Sequence, residues 1–541
     1  MATTMATTRQ LLFLLTCAVV GPALVGCGET DAELFAYKTS PPPTGGGTFR
    51  LDESADIVNG TIIGDCSVGC GPDSLGSDAV VAGDLDGDGF DDVLFGSFAY
   101  TPDLVTQPSR GGIYVVYGHA TWAAQATLEP DAILQLGGID GELDVAPAGD
   151  VDGDGYADFL VGSANIGLCR NELLEPPSTP LPDEDVLGRA HLVYGGPTRL
   201  SGAIPIASVS STIVDETRCL GFGVTVASAG DLDGDGYGEF VVGSDPTRGQ
   251  LPPEAGNGRA YLFYGGPTRL PMTSTVAAAN ATLRGRADAF GFASELASAG
   301  DTDGDGDSEL LIADAYGNQA PEWYNGAAAA YLIPGGDRLA GDLDATTLPG
   351  HATFTGDGLD AGHIAPLGDI DEDGLDDVAF GGKQSDEPAD GDVAGFLFYG
   401  RAGGFDPSMP VSAADVVLRT PGGAKPIAAA GDLDGDGHRD ILVGDYHLDD
   451  QRGAAYLISG TGGRWTGDFA LRDIAAIYRG SEGLPFDPFP EGYPDAPTPP
   501  RSFDRAGASV AGDGDIDGDG KSDVLVGAPG STGIGRVFLL R

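Results

Sequence analysis

The sequence has 541 residues, 41% of them apolar and 20% charged, which is enough apolar side chain for a substantial core. Its 82 acidic residues against 28 basic ones leave a formal charge of −54, which argues against nucleic acid or anionic lipid as partners, because binding phosphate needs clustered Lys and Arg. The acids fall in short clusters beside Gly and between apolar triplets, a pattern that points to cations as partners rather than to a disordered acidic chain.

In chain order, residues 1–26 read as an export signal: Arg9 opens it, and Leu11 to Val20 form an apolar run too short for a bilayer. Leu24-Val25-Gly26-Cys27 resembles the lipobox of bacterial lipoproteins, in which the cysteine becomes the lipidated N-terminus. An ordinary secretory signal cut nearby is the alternative. Gly28 in place of Asp implies the outer membrane or cell surface under the enteric sorting rule. Residues 27–47, with Pro41-Pro42-Pro43 and Gly45-Gly46-Gly47, read as the lipidated Cys27 and a flexible tether. No later apolar run is long enough to span a membrane, so attachment is expected only at this end. Four cysteines remain, Cys66, Cys70, Cys169 and Cys219, an even number that favours disulfides in an exported protein.

From the tether onward one pattern returns: Asp-x-Asp-x-Asp-Gly-x-x-Asp/Glu, then three apolar residues. Its copies are Asp84, Asp86, Asp88, Asp92; Asp150, Asp152, Asp154, Asp158; and Asp231, Asp233, Asp235, Glu239. Then follow Asp301, Asp303, Asp305, Glu309 and Asp369, Asp371, Asp373, Asp377. The last two are Asp432, Asp434, Asp436, Asp440 and Asp515, Asp517, Asp519, Asp523. Successive copies start 63 to 83 residues apart.

Carboxylates at positions 1, 3 and 5 of a tight loop converge on one point, and Gly at position 6 permits the turn. Position 7 is expected to offer only its backbone carbonyl, so that its side chain varies freely: Phe90, Tyr156, Tyr237, Asp307, Leu375, His438 and Lys521. The acid at position 9 closes the shell. About six hard oxygen ligands in a flexible loop suit calcium better than magnesium. Up to seven structural calcium ions are expected, changing the formal charge from −54 to −40. An EF-hand needs Glu at position 12 and flanking helices. Position 12 is Phe95, Val161, Val242, Ile312, Phe380, Val443 and Val526, so that reading fails.

Each unit continues with a β-rich run, such as Gly112-Ile113-Tyr114-Val115-Val116 or Tyr261-Leu262-Phe263-Tyr264. A Gly- and Ala-rich strand precedes most loops, as in Phe222-Gly223-Val224-Thr225-Val226-Ala227, and a fourth apolar stretch such as Val416-Val417-Leu418-Arg419 lies between units. Four short strands in each of seven units predict an all-β, seven-bladed β-propeller over residues 48–541. The chain ends after a third strand, so the segment from Thr48 to about Ile63 is expected to supply the outer strand of blade 7.

The units resemble FG-GAP repeats, the blades of the integrin α propeller, whose calcium sits between the first two strands. Phe222-Gly223 and Phe290-Gly291 carry the Phe-Gly pair, Gly527-Ala528-Pro529 the Gly-Ala-Pro signature, and Phe49-Arg50-Leu51-Asp52 is similar to the start of a mature integrin α chain. The topology so implied places Cys169 and Cys219 on one face of neighbouring blades, and favours pairs 66–70 and 169–219. It puts the long loops Ala164–Leu187 and Gly480–Arg505, with Phe486, Phe489, Tyr493 and Phe503, on the calcium-free face, together with Trp323-Tyr324. These aromatics either form a recognition surface or pack on the blade edge.

The reading of function is a calcium-stabilised, non-enzymatic binding or adhesion propeller at the cell surface that takes a protein or glycan. The alternative is an extracytoplasmic enzyme of polysaccharide lyase or phosphoesterase type. No Gly-x-Ser-x-Gly or His-Glu-x-x-His occurs in the chain.

Overall fold

The computed structural model describes residues 48–50, 58–63, 78–97, 112–121, 130–136, 142–164, 187–218, 220–245, 258–286, 291–314, 328–382, 392–421, 426–448, 452–480, 482–485, 501–503, 505–529 and 536–541. Blade 3 shows the plan. Phe222–Gly230, Glu239–Ser244, Arg259–Phe263 and Ala281–Arg284 pair antiparallel in sequence order. Seven such sheets follow one another, and the protein is an all-β, seven-bladed propeller. First strands pack on first strands all the way round, blade 7 against blade 1 included.

Burial falls from the inside outward, and the sequence pattern follows it. Second strands are covered on both faces by neighbouring blades, so they read as unbroken apolar runs such as Asp440–Asp445, buried throughout. Position 12 of every acidic repeat lies here: Phe95, Val161, Val242, Ile312, Phe380, Val443 and Val526 are all fully buried. Most fourth strands alternate, as in Val416–Arg419, because only one face is covered, whereas Ser210–Val214 and Ala476–Arg479 are buried along most of their length. The apolar core is accordingly divided into wedges between blades. One wedge joins Leu262 and Leu283 of blade 3 to Leu310 and Tyr331 of blade 4. Another joins Phe354 of blade 4 to Phe380 and Phe398 of blade 5.

First strands end in a bulge just before the first Asp of each loop. In six blades the glycine there, as in Gly230 at φ 72°, takes the left-handed conformation that turns the chain out of the sheet.

The expectation of four strands per blade is corrected. Among the described residues six sheets have five, the fifth running parallel to the fourth and coming from the next blade. Gly202–Pro205 lies between the third and fourth strands of blade 2, yet pairs in parallel with Ala132–Gln135 of blade 1. Thr273–Thr275, Gly341–Asp344, Ser408–Pro410 and Gly467–Ala470 do the same for blades 2 to 5. These strands are short and half exposed, so no apolar periodicity marks them.

The N-terminal residues complete two blades. Thr48–Arg50 is the parallel fifth strand of blade 6, on Ala476–Arg479, and Val58–Ile63 pairs antiparallel with Arg536–Leu540 as the fourth strand of blade 7. A short hairpin, Glu482–Pro485 with Arg501–Phe503, precedes blade 7.

Removing residues 48–63 uncovers the edges of blades 6 and 7 together. The shortened protein should melt at least a few degrees lower and scatter light on standing. An unchanged Tm with no aggregation would contradict this account.

Candidate metal centre in the acidic loops

Each acidic loop is wound by its own carboxylates. In blade 1 Asp84 Oδ1 accepts the Gly87 and Asp88 amides at 2.6 and 3.1 Å, and Oδ2 accepts the Gly89 amide at 2.8 Å. Asp86 accepts from Asp88 and Asp88 from Phe90, each at 3.1 Å. Blade 2 repeats the set with Asp150, Asp152, Asp154 and Tyr156. The glycines at positions 4 and 6, Gly87 and Gly89, have φ of 78° and 91°, a conformation that costs other residues about 1–2 kcal/mol. Blade 5 alone departs, carrying Glu372 at φ 61° in position 4.

The position 9 acid opens the second strand and is buried there. Asp92 Oδ2 accepts the Leu85 amide at 2.8 Å, and Oδ1 accepts the Gly118 amide at 2.7 Å, tying the loop to the end of the third strand. Asp158, Glu239, Asp377 and Asp440 make the same pair of bonds, and in blade 4 Glu309 adds the Thr302 hydroxyl.

Oxygens of positions 1, 3 and 9 converge. In the sets Asp84/Asp86/Asp92, Asp150/Asp152/Asp158, Asp231/Asp233/Glu239, Asp301/Asp303/Glu309 and Asp369/Asp371/Asp377 they lie within 4.8 Å of one another. Buried oxygens Oδ1 of Asp233, Asp432 and Asp523 have no hydrogen-bond partner. Such atoms are costly to bury unless a ligand takes them. Burial, opposed by the two amides and reinforced by the neighbouring carboxylates, pushes Asp92, Asp158, Glu239, Glu309, Asp377, Asp440 and Asp523 up to about 7. A crowded, oxygen-only donor set with unpartnered buried oxygens fits a hard divalent cation.

Position 7 is not the free side chain expected from its variability. It leans on the preceding loop at position 4: Tyr156 over Gly87, Tyr237 over Gly153, Asp307 by Gly234, Leu375 by Gly304 and Phe90 over Gly518. Where blade 5 has Glu372, blade 6 answers with His438, which bonds to it, and Lys521 of blade 7 donates to the Asp434 carbonyl at 3.1 Å. The loops are also joined by backbone: the Ala157 amide donates to Asp84, Gly238 to Asp150, Ser308 to Asp231, Asp376 to Asp301 and Asp91 to Asp515. Nearer the axis, Asp78 accepts the Val145 amide at 3.0 Å and Asp144 the Val226 amide at 2.7 Å. Burial and the Asp144 charge hold Asp78 well above the ordinary carboxylate range.

A row of arginines was not singled out from the sequence. Arg199, Arg269, Arg338 and Arg464 each reach from the following blade to positions 3 and 5 of a loop: Asp86/Asp88, Asp152/Asp154, Asp233/Asp235 and Asp371/Asp373. The signal was present, since Gly-Gly-Pro-Thr-Arg-Leu occurs at both 195–200 and 265–270.

Cys27, Cys66, Cys70, Cys169 and Cys219 lie outside the described residues, as do 165–186, 486–500 and Trp323-Tyr324.

The geometry defines a class, the seven-bladed β-propeller with an acidic Asp-x-Asp-x-Asp-Gly loop between the first two strands of each blade. The family described as FG-GAP repeat matches residues 222–263, in blade 3, and 506–540, in blade 7. Integrin alpha-PS2 of Drosophila melanogaster is 32% identical over 191 residues, covering 35% of this chain and 11% of that protein. The protein thus carries FG-GAP repeats in a seven-bladed propeller that is similar in part to an integrin α chain. One assignment within the repeat is corrected. The counterpart of Phe222-Gly223 in blade 4 is Phe292-Ala293, two residues past Phe290-Gly291. Phe222 and Phe292 meet Tyr261 and Tyr331 edge-on at 5.4 and 5.3 Å, and Gly223 and Ala293 share φ of 80° and 63°.

The seven position 9 acids keep protons in the fold at pH values where the unfolded chain has released them. Without divalent ions their contribution is complete below about pH 4 and is lost as pH rises through about 7. In chelator, Tm should therefore fall between about pH 5 and about pH 7.5. A Tm that rises across that interval would contradict the raised pKa values.

Proposed function

We propose that the protein is a calcium-stabilised binding propeller displayed at the cell surface. It takes a protein or glycan on the face opposite the acidic loops. The observation that carries the metal reading is the convergence of three carboxylates per loop, with buried oxygens that no group of the protein satisfies. Calcium is the cation preferred, because it accepts many oxygen ligands in a flexible loop, whereas magnesium retains water. Its role here is structural. It joins carboxylates that repel one another, and the second strands that start at position 9 are thereby fixed in their blades. Likeness to an integrin α chain supports a binding role. The recognition surface is assigned to the connections between second and third strands. Cell-surface display rests on the signal and lipobox reading of residues 1–27, and no helix among the described residues is long and apolar enough to cross a membrane.

Calcium should raise Tm and EGTA should lower it, with each occupied loop adding about 2.7 kcal/mol at a hundredfold excess over its Kd. Titration calorimetry should count up to seven ions. Soluble protein from residue 28 should then be incubated with intact cells and a polysaccharide panel, in calcium and in EGTA. Retention in calcium without breakdown supports the binding reading. Breakdown of any substrate overturns it in favour of an enzyme, and an identical Tm in calcium and EGTA removes the metal.

A further inference from the structure

The four arginines that reach an acidic loop from the following blade share one geometry; Arg541, which bonds Asp517 at 2.8 Å, belongs to the same blade as its loop. Arg269, from the turn after the third strand of blade 3, bonds Asp152 and, at 2.7 Å, Asp154 of blade 2, and its guanidinium lies 4.5 Å from the centre of the Tyr194 ring. The Tyr194 hydroxyl in turn accepts the amide of Leu270, the next residue, at 2.9 Å. Arg199 repeats this on Tyr117, Arg338 on Tyr264 and Arg464 on Tyr399, at 4.7, 4.9 and 5.1 Å. The amides of Leu200, Leu339 and Trp465 bond the same hydroxyls. A guanidinium held over a ring, with two N–H groups on two carboxylates, is a fixed cation and not a wandering surface charge.

Blade 4 lacks both halves of this arrangement. Pro334 stands where Tyr264 stands in blade 3, and Gly404 of blade 5, beside Asp303, stands where the arginine would be, while the nearby Arg401 faces Asp415 at 3.5 Å and the Phe405 ring at 5.1 Å. The same loop carries a fifth acid, Asp307, beside Asp301, Asp303, Asp305 and Glu309.

We infer that Arg199, Arg269, Arg338 and Arg464 are interblade clamps. Each is a built-in cation that neutralises positions 3 and 5 and keeps its loop seated on the next blade when no metal is bound, and the blade 4 loop, the most acidic of the loops that receive no arginine from the next blade, is the one that opens first. Two observations place the arginine on the rim of the cluster and not in its centre. It touches positions 3 and 5 but neither position 1 nor position 9, and its side chain is half exposed whereas the position 9 acid is buried. Metal and arginine thus act on different sides of the same carboxylates. The inference rests on the metal reading only where calcium is compared with EGTA.

Hydrogen exchange on the mature protein in EGTA is the test. The amides of Gly89, Gly155, Gly236 and Gly374, which close the clamped loops, should exchange at least tenfold more slowly than that of Gly306 in blade 4. Arg269→Gln should raise exchange at Gly155 to the rate of Gly306 in EGTA. Arg269→Lys should recover part of the protection, because it restores charge without the two-pronged geometry. In calcium the Arg269→Gln effect should shrink. Equal exchange at Gly306 and the clamped glycines in EGTA, or no change in Arg269→Gln, overturns the clamp. An equal effect of Arg269→Gln in EGTA and in calcium reduces the arginine to packing and also overturns it. Tighter calcium binding by Arg269→Gln would show that the arginine blocks the site, and the clamp would fall on that result too. If calcium alters no loop in the unsubstituted protein, the metal reading fails while the EGTA comparison still decides the clamp.

Discussion

Carboxylate crowding is the constraint on which the rest of the structure turns. Every blade opens its second strand with a buried acid whose oxygen lies near two more acids, and the sheet cannot form without bringing the three together. Two amide donors hold that acid in place, but they do not remove the repulsion. The protein therefore has to supply positive charge at seven places. The clamping arginines supply part of it from the side, and a divalent cation in the cluster would supply the rest.

That constraint explains why the blades are not independent units. Six of the loops give a backbone carbonyl to the next blade, every loop receives that blade's position 7 side chain at its position 4, and at four places it receives an arginine as well. At the outer edge the next blade adds a parallel strand, and the apolar wedges lie between sheets, not within them. A single repeat removed from this ring would lose a face of its core and part of its loop's neutralising charge together.

The fold was legible because its strongest constraint is written in residue type. Only Asp, Asn or Glu suits positions 1, 3, 5 and 9, and a strand covered on both faces has to be apolar, so Val93-Leu94-Phe95 and its six equivalents announce themselves. Contacts between blades were less legible, because the arginines and their partners lie 91 to 117 residues apart and use ordinary residue types. Arg269 and Asp152 are 117 residues apart, and nothing local distinguishes this arginine from a solvated one. The parallel fifth strands escaped for a different reason: Gly341–Asp344 and Gly202–Pro205 are joined mainly by backbone, and apart from Leu343 and Ile204, which lean on the core, their side chains face water. Position 7 looked unconstrained because its contact is with a glycine, which accepts Tyr, Leu or Phe equally; the pairing of Glu372 with His438 shows the constraint once that glycine is replaced.

Thr48–Arg50 and Val58–Ile63 follow one another closely in the chain yet lie on different blades, the first beside Ala476–Arg479 and the second beside Arg536–Leu540. The joint between the ends of the chain is thus lapped across two blades. Tension applied ahead of Thr48 loads the three-residue pairing on blade 6 first and reaches blade 7 only after that pairing has slipped. A disc pulled from this end has a sacrificial catch in front of its main seam, and the propeller proper is spared until the catch is spent.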